Sequence, residues 1–186
     1  MIMPNTKDKI LDVTFMLVYK YGYTGTSISM ILKECDIPKG SLYHHFNSKK
    51  DLVLSVLKER IAQKMHHFFK FKKNSNQNPI DTIIKSIRLI VNNKYLISYG
   101  CPLNRLNQEM ANLDEDFEKE INIIYENLKM RIIKILINTN IDDKDTLAEY
   151  IINTTWGALS LSSKQASKKR FLKNISHLTT YLNTLK

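Results

Sequence analysis

The chain has 186 residues, 43% of them hydrophobic and 25% charged, with 28 Lys and Arg against 18 Asp and Glu for a formal net charge of +10. An ordinary apolar fraction arranged in periodic blocks excludes a wholly disordered chain and points to one compact unit, or one main domain with a small second one. The basic balance is compatible with a polyanionic partner. Only two cysteines, Cys35 and Cys101, are present, which excludes a multi-disulfide framework and a zinc site built from cysteines alone and fits a reducing compartment. Five glycines form neither GxGxxG nor GxxxxGK[ST], so nucleotide-dependent chemistry is not expected. The uncharged stretch Val13 to Tyr19 is far short of the ~20 residues of a membrane span, and a cytoplasmic location is expected.

Nearly every segment carries a helical period, and an all-α fold of about nine helices follows. Ile10, Val13, Leu17 and Tyr21 recur at steps of three and four and end at Gly22, a residue suited to a helix C-terminus. After Gly25, the hydroxyls of Thr26 and Ser27 can cap a second short helix, Ile28 to about Cys35. Asp36 to Pro38 break the chain, and a third helix runs from Pro38 or Lys39 to about Phe46, proline being tolerated in a first turn. Ser48 with Asp51 gives a start like a capping box to a long fourth helix, Lys49 to about Phe71. The polar stretch 72–78 then reads as a loop.

Ile80, Ile83, Ile84, Ile87 and Val91 form the apolar face of a helix from Pro79 to about Ile97, which Gly100 and Pro102 interrupt. A shorter helix, Pro102 to Asn112, precedes the acidic start Asp114 to Asp116, which suits the positive end of the next helix dipole. That helix carries Phe117, Ile121, Ile124, Leu128, Ile132 and Ile135 on one side, and two more follow, Asp143 to about Ala166 and Lys168 to Leu185. The functional boundary is placed near Ser48: 1–48 as a helix-turn-helix domain, and 49–186 as a sensing and dimerisation domain with helix 49–71 as connector.

The most informative stretch is Thr26 to Leu52. Two short helices joined by a turn of three or four residues form a helix-turn-helix, whose second helix enters the major groove while the first crosses the backbone. Lys39, Ser41, Tyr43, His44 and His45 supply long or polar donors on the third helix, and Leu42 and Phe46, four apart, can face the core. Thr26, Ser27, Tyr43 and Lys49 would grip phosphates around the groove. An amphipathic surface helix of an ordinary bundle would show the same split between polar and apolar positions.

With those residues in view, the segment ILDVTFMLVYKYGYTGTSISMILKECDIPKGSLYHHFNSKKDL resembles the DNA-binding domain of the TetR family of bacterial repressors. Pro38 departs from the pattern, in which a Ser commonly starts the recognition helix. Carried over by position, the resemblance implies DNA contacts at Thr26, Ser27, Lys39, Gly40, Ser41, Tyr43, His45 and Lys49. It also implies a C-terminal helical domain that binds a small ligand and dimerises, commonly through its last two helices. The final segment supports pairing independently: Phe171, Ile175, Leu178, Leu182 and Leu185 make a narrow seam, and the first four with Trp156 are the expected homodimer contacts. The same seam could instead face the chain's own core. In the preceding helix Gly157, Ala158, Ser160, Ser162 and Ser163 would let a partner helix approach closely. Two recognition helices related by a dimer axis call for an inverted-repeat operator in double-stranded DNA.

The segment Tyr99 to Phe117 is similar to a TetR subgroup that includes the N-ethylmaleimide-reductase repressor. That likeness implies a sensing thiol at Cys101 with Lys164 able to bond to its oxidised sulfur. A nearby ammonium and a helix N-terminus would lower the thiol's pKa and make it reactive. A buried, inert Cys101 beside a small-molecule pocket is the alternative the residues fit better, and Cys35 reads as core. Neither His44 with His45 nor His66 with His67 can clamp a metal, since helical neighbours point about 100° apart, and no metal or other cofactor is expected. Glu109, Asp114, Glu115 and Asp116 suggest paired carboxylates, although an acidic helix start accounts for most of them. The reading is a dimeric, non-enzymatic repressor that leaves DNA when an effector binds or an electrophile or oxidant modifies it, with no membrane partner. A small all-α enzyme and a helical interaction adaptor are the alternatives.

Overall fold

A computed structural model describes residues 5–68, 77–160 and 167–186, which contain helices and no strand. The helices, in chain order, are α1 (Thr6–Tyr21), α2 (Ile28–Cys35), α3 (Lys39–His45), α4 (Lys49–Val56), α5 (Ala62–Phe68), α6 (Pro79–Leu89), α7 (Lys94–Tyr99), α8 (Pro102–Met110), α9 (Glu115–Leu136), α10 (Lys144–Ser160), α11 (Ser167–Asn174) and α12 (Ser176–Asn183). None is long and apolar enough to cross a membrane. The chain divides into two compact units: residues 1–64 with 105–122, and residues 65–104 with 123–186. By sequence the first carries 12 Lys and Arg against 12 Asp and Glu, and the second 16 against 6, so the whole positive surplus belongs to the second.

In the first unit, Asn5 caps α1 by accepting from the Lys7 amide, and Gly22 ends it with φ 80° and ψ 175°. The buried face of α1 is Ile10, Leu11, Thr14, Phe15 and Val18, whereas the expected Tyr21 is 56% exposed. The helix was legible; its inward face is turned by about one residue, because Leu11, Phe15 and Val18 satisfy the same three-and-four spacing as the stripe chosen. Ser27 caps α2 through the Met30 amide, and Ser48 caps α4 through the Asp51 amide while Asp51 returns the bond to the Asn47 amide. This is the reciprocal arrangement that Ser48 and Asp51 announce.

The expected fourth helix holds a feature its sequence does not signal. Between α4 and α5 the chain widens into a π-helical turn, Leu57–Ile61. That turn carries Arg60, whose Nε and Nη2 reach Asp12 and Asp8 of α1, each at 2.6 Å, while Lys7 meets Glu59 at 3.0 Å. Together with Leu52, Val53, Val56 and Leu57, all fully buried, these pairs hold α4 and the turn to α1. The compact unit therefore extends past the boundary expected near Ser48. Residues 105–122 join it through Glu109 on the Gly22–Thr24 turn, Lys58 with Glu120, and Lys50, which pairs with Asp114 at 2.8 Å and Asp116 at 2.7 Å. The remainder of the expected helix, 69–71, and most of the expected loop lie outside the described residues.

In the second unit Asn78 caps α6, whose Ile80, Ile83, Ile84 and Ile87 are buried. The helix expected to reach Ile97 divides instead at Asn93, whose side chain accepts from the amides of Tyr95 and Leu96 at 3.1 Å and so starts α7 afresh. The last expected helix likewise breaks at Ile175 into α11 and α12. Phe171, Ile175, Leu178 and Leu182 are at most 1% exposed and Trp156 is 8% exposed in the single chain, with α6 and α7 packed against α10, α11 and α12. These five expected dimer contacts are thus corrected: the seam lies in the chain's own core.

Gly22 sits in a region of backbone space that side chains other than glycine enter at a cost of about 1–3 kcal/mol. Gly22→Ala should lower the unfolding free energy by at least that amount, measured by the urea midpoint, and an unchanged midpoint would contradict the turn geometry.

Candidate nucleic-acid interface

The third helix presents a divided surface. Leu42 is fully buried and Phe46, just past the helix, is 2% exposed, which leaves Lys39, Gly40, Tyr43 and His44 on the outside and Ser41 and His45 half-buried. Pro38 precedes α3 without a side-chain cap, as its residue type dictates. The Lys39 ammonium lies 5.7 Å from the centre of the Tyr43 ring, so a cation and a phenol share one edge of the helix.

Gly40 is informative because the chain does not need it. An added Cβ there would meet nothing within 4 Å, and its φ is not positive. It is the second residue of α3, and without a Cβ it leaves the outer surface of the helix open at that point.

The remaining expected contacts separate. Ser27 is exposed, caps α2, and pairs its hydroxyl with Ser29 at 2.8 Å. Thr26 is fully buried, and its hydroxyl donates to the Gly22 carbonyl at 2.7 Å, so its expected place among the surface contacts is corrected. Its hydroxyl ties the start of α2 to the preceding turn. Lys49 is half-buried with its ammonium 4.3 Å from the centre of the Tyr23 ring, and burial lowers its pKa while Glu109 opposes the shift. Tyr23 itself packs edge-on to Phe117 at 5.4 Å. Tyr23 was missed as the seat of Lys49; the only signal was an aromatic residue set between two turn glycines.

The acidic start of α9 does more than face a helix dipole. Asp114 accepts from the amides of Asp116 and Phe117 and also holds Lys50, which keeps its carboxyl below the usual range. Among the described residues no three His, Cys, Asp or Glu side chains converge as a metal site.

In the second unit Cys101 is 2% exposed, with its sulfur 3.8 Å from the Met65 sulfur. Burial pushes its thiol up to about 12, and bonds from the Asn104 and Leu103 backbone only partly oppose this. Desolvation of the thiolate outweighs the helix start, and this burial agrees with the inert alternative rather than with the activated thiol. Lys164, with Ser162 and Ser163, lies outside the described residues. Cys35 is buried, as expected of a core residue.

On the outer side of α10, Tyr150, Asn153, Gly157 and Ser160 recur at helical spacing and are all exposed, and Gly157, like Gly40, leaves open space where a Cβ would be. Tyr150 meets Tyr181 of α12 at 6.0 Å, beside a groove of about 480 Å³ also lined by Ile141, Leu147 and Leu185.

Comparison with known proteins bears on this arrangement. Residues 10–56 match the model for bacterial regulatory proteins of the tetR family. The chain is 36% identical over 130 residues to an HTH-type transcriptional regulator in the lacX 3' region of Lactococcus lactis subsp. lactis, covering 69% of this chain and 66% of that protein. It is 27% identical over 114 residues to the HTH-type transcriptional repressor NemR of Escherichia coli, covering 60% of this chain and 57% of the relative. The matches therefore span somewhat under two thirds of these relatives. Its fold is similar to the reduced form of E. coli NemR, with a TM-score of 0.79, 21% identity and 97% of each chain covered. It is also similar to a TetR transcriptional regulator from Legionella pneumophila, with a TM-score of 0.77, 25% identity and both chains covered in full.

A thiol raised from 9.0 to about 12 favours the folded state below its unfolded pKa and loses that contribution as pH rises through the interval. Stability should fall with pH above about 9, by up to about 1.4 kcal/mol per pH unit from this group. Cys101→Ala should flatten that slope in urea titrations at stepped pH, and identical slopes in the two proteins would refute the assignment.

Proposed function

The chain belongs to the TetR family of bacterial regulatory proteins, and from that premise we propose that it acts as a dimeric DNA-binding repressor reading an inverted repeat through α3. The observation that carries the reading is the outer surface of α3, where Lys39, Gly40 and Tyr43 stand exposed over a buried Leu42. Lysine and tyrosine can donate to phosphate oxygens, and a glycine between them lets a duplex backbone come close. Ser27 and Lys49 add a hydroxyl and an ammonium at the starts of α2 and α4.

Release is attributed to a small-molecule effector. The burial and high pKa of Cys101 favour that route over attack by electrophiles or oxidants, because the thiolate is the reacting species. A coupling of about 1–3 kcal/mol between effector and DNA would change affinity roughly 5- to 150-fold.

Pairing is attributed to the outer faces of α10 and α12, since the seam expected to do this is occupied within the chain. Gly157 supports the choice: a helical glycine with nothing against it among the described residues allows close approach by a second helix. The exposed Tyr150 and Tyr181 rings flank that line and offer apolar area with a polar tip.

Two tests follow from the two open glycines. Gly40→Ala should raise thermal stability slightly and weaken binding to the duplex upstream of the protein's own coding sequence about tenfold or more, as should Lys39→Ala and Tyr43→Ala without the gain in stability. Wild-type affinity in all three, by fluorescence anisotropy, would remove α3 from the interface. Gly157→Glu should yield a folded monomer in sedimentation experiments, and a persistent dimer would move the pairing face elsewhere.

A further inference from the structure

We propose that Glu109 is a positioning residue for DNA binding, its carboxylate holding the turn between α1 and α2 so that Lys49 is presented to the duplex. The proposal rests on the DNA-binding reading above and adds to it a residue that carries no DNA contact of its own.

The geometry is that of a carboxylate seated in a backbone cradle. Gly22, with φ 80°, turns the chain so that the consecutive amides of Tyr23 and Thr24 face one acceptor. Tyr23 donates to Glu109 Oε2 and Thr24 to Oε1, both at 2.7 Å, across more than eighty residues of sequence. Paired amides on a charged carboxylate are among the stronger and more directional hydrogen bonds. Burial pushes the Glu109 carboxyl up, but the Thr24 and Tyr23 amides, the Thr24 hydroxyl and Arg105 together draw it below its ordinary value. The fit is close: a Cβ at Gly22 would lie 2.6 Å from Oε2.

What hangs on this turn is the interface. Tyr23 is held at its amide by Glu109 and at its ring by the fully buried Phe117, and the ring also carries the Lys49 ammonium, 4.3 Å from its centre. Three residues further on, Thr26 donates to the Gly22 carbonyl, and Ser27 begins α2 directly after it. Loss of the carboxylate leaves the Thr26 bond and the core of α1 in place, so the unit can stay folded while the Tyr23 ring, and with it Lys49, loses its fixed position.

The test is a salt series of anisotropy titrations on the full chain with the duplex upstream of its own coding sequence. Glu109→Ala should lower affinity about tenfold and reduce the slope of log K against log salt by about one phosphate contact, as Lys49→Ala does. The double variant should be no weaker than Lys49→Ala alone, because one acts through the other. Glu109→Gln, which keeps one acceptor but turns an amide donor toward the cradle, should fall between wild type and Glu109→Ala and serves if the alanine variant does not fold. Wild-type affinity and slope in Glu109→Gln and Glu109→Ala would overturn the proposal, and so would losses that add to those of Lys49→Ala at an unchanged slope, which is the mark of general destabilisation. Should the wild type show no salt-dependent binding sensitive to Lys39→Ala, the DNA-binding reading itself fails; binding that is sensitive to Lys39→Ala but indifferent to Glu109 removes only the positioning role.

Discussion

A helix of seven residues, entered by proline and lacking a side-chain cap, is not stable in water by itself. α3 exists because Leu42 and Phe46 are buried in the first unit, and everything displayed on its outer face depends on that anchorage. Apolar area buried on one side selects the orientation of the polar side, so Lys39 and Tyr43 are aimed by the side chains beneath them rather than by contacts of their own. The rest of the unit supplies the platform: α1 underlies α2 and α4, and the Arg60 pairs with Asp8 and Asp12 fasten the widened turn that follows α4. Exposed ion pairs of this kind contribute little each, so apolar burial does most of the holding and the pairs fix alignment.

The elements most legible in the sequence were those marked by local chemistry. Ser27, Ser48 and Gly22 each act through atoms within a few residues, and each sits where its type suggests. Asn93 carried an equally local signal, yet the apolar period of residues 80–97 runs past it and concealed the break. Interactions that span the chain were not readable. Nothing near Glu109 indicates that it will meet amides of residues 23 and 24, and nothing near Arg60 indicates a π-helical turn. The outward placement of Lys39, Gly40 and Tyr43 on α3 was legible because a surface residue needs only its own helix to be placed; Thr26 is buried because its hydroxyl serves the turn behind it.

Two further cases share a cause, the competition between burial and a favourable local group. For Cys101 the sequence left an activated thiol at a helix start and a buried, inert one both open, and loss of solvent dominates once the sulfur is enclosed with Met65. For Phe171, Ile175, Leu178 and Leu182 the regular spacing is real, but a seam of that kind serves any helical neighbour, and α6 and α7 already occupy it. Spacing reports that a face is buried and is silent on which chain buries it. The exposed row Tyr150, Asn153, Gly157 and Ser160 lacks a strong apolar period, and it drew notice only once its surroundings were known.

The even charge of the first unit, twelve basic residues and twelve acidic, has its own outcome under the DNA-binding role proposed above. Attraction to any polyphosphate chain grows with uncompensated positive charge, whatever the bases. Under that role, a reading head with none to spare would shed wrong sequences readily and linger only where shape and donors agree.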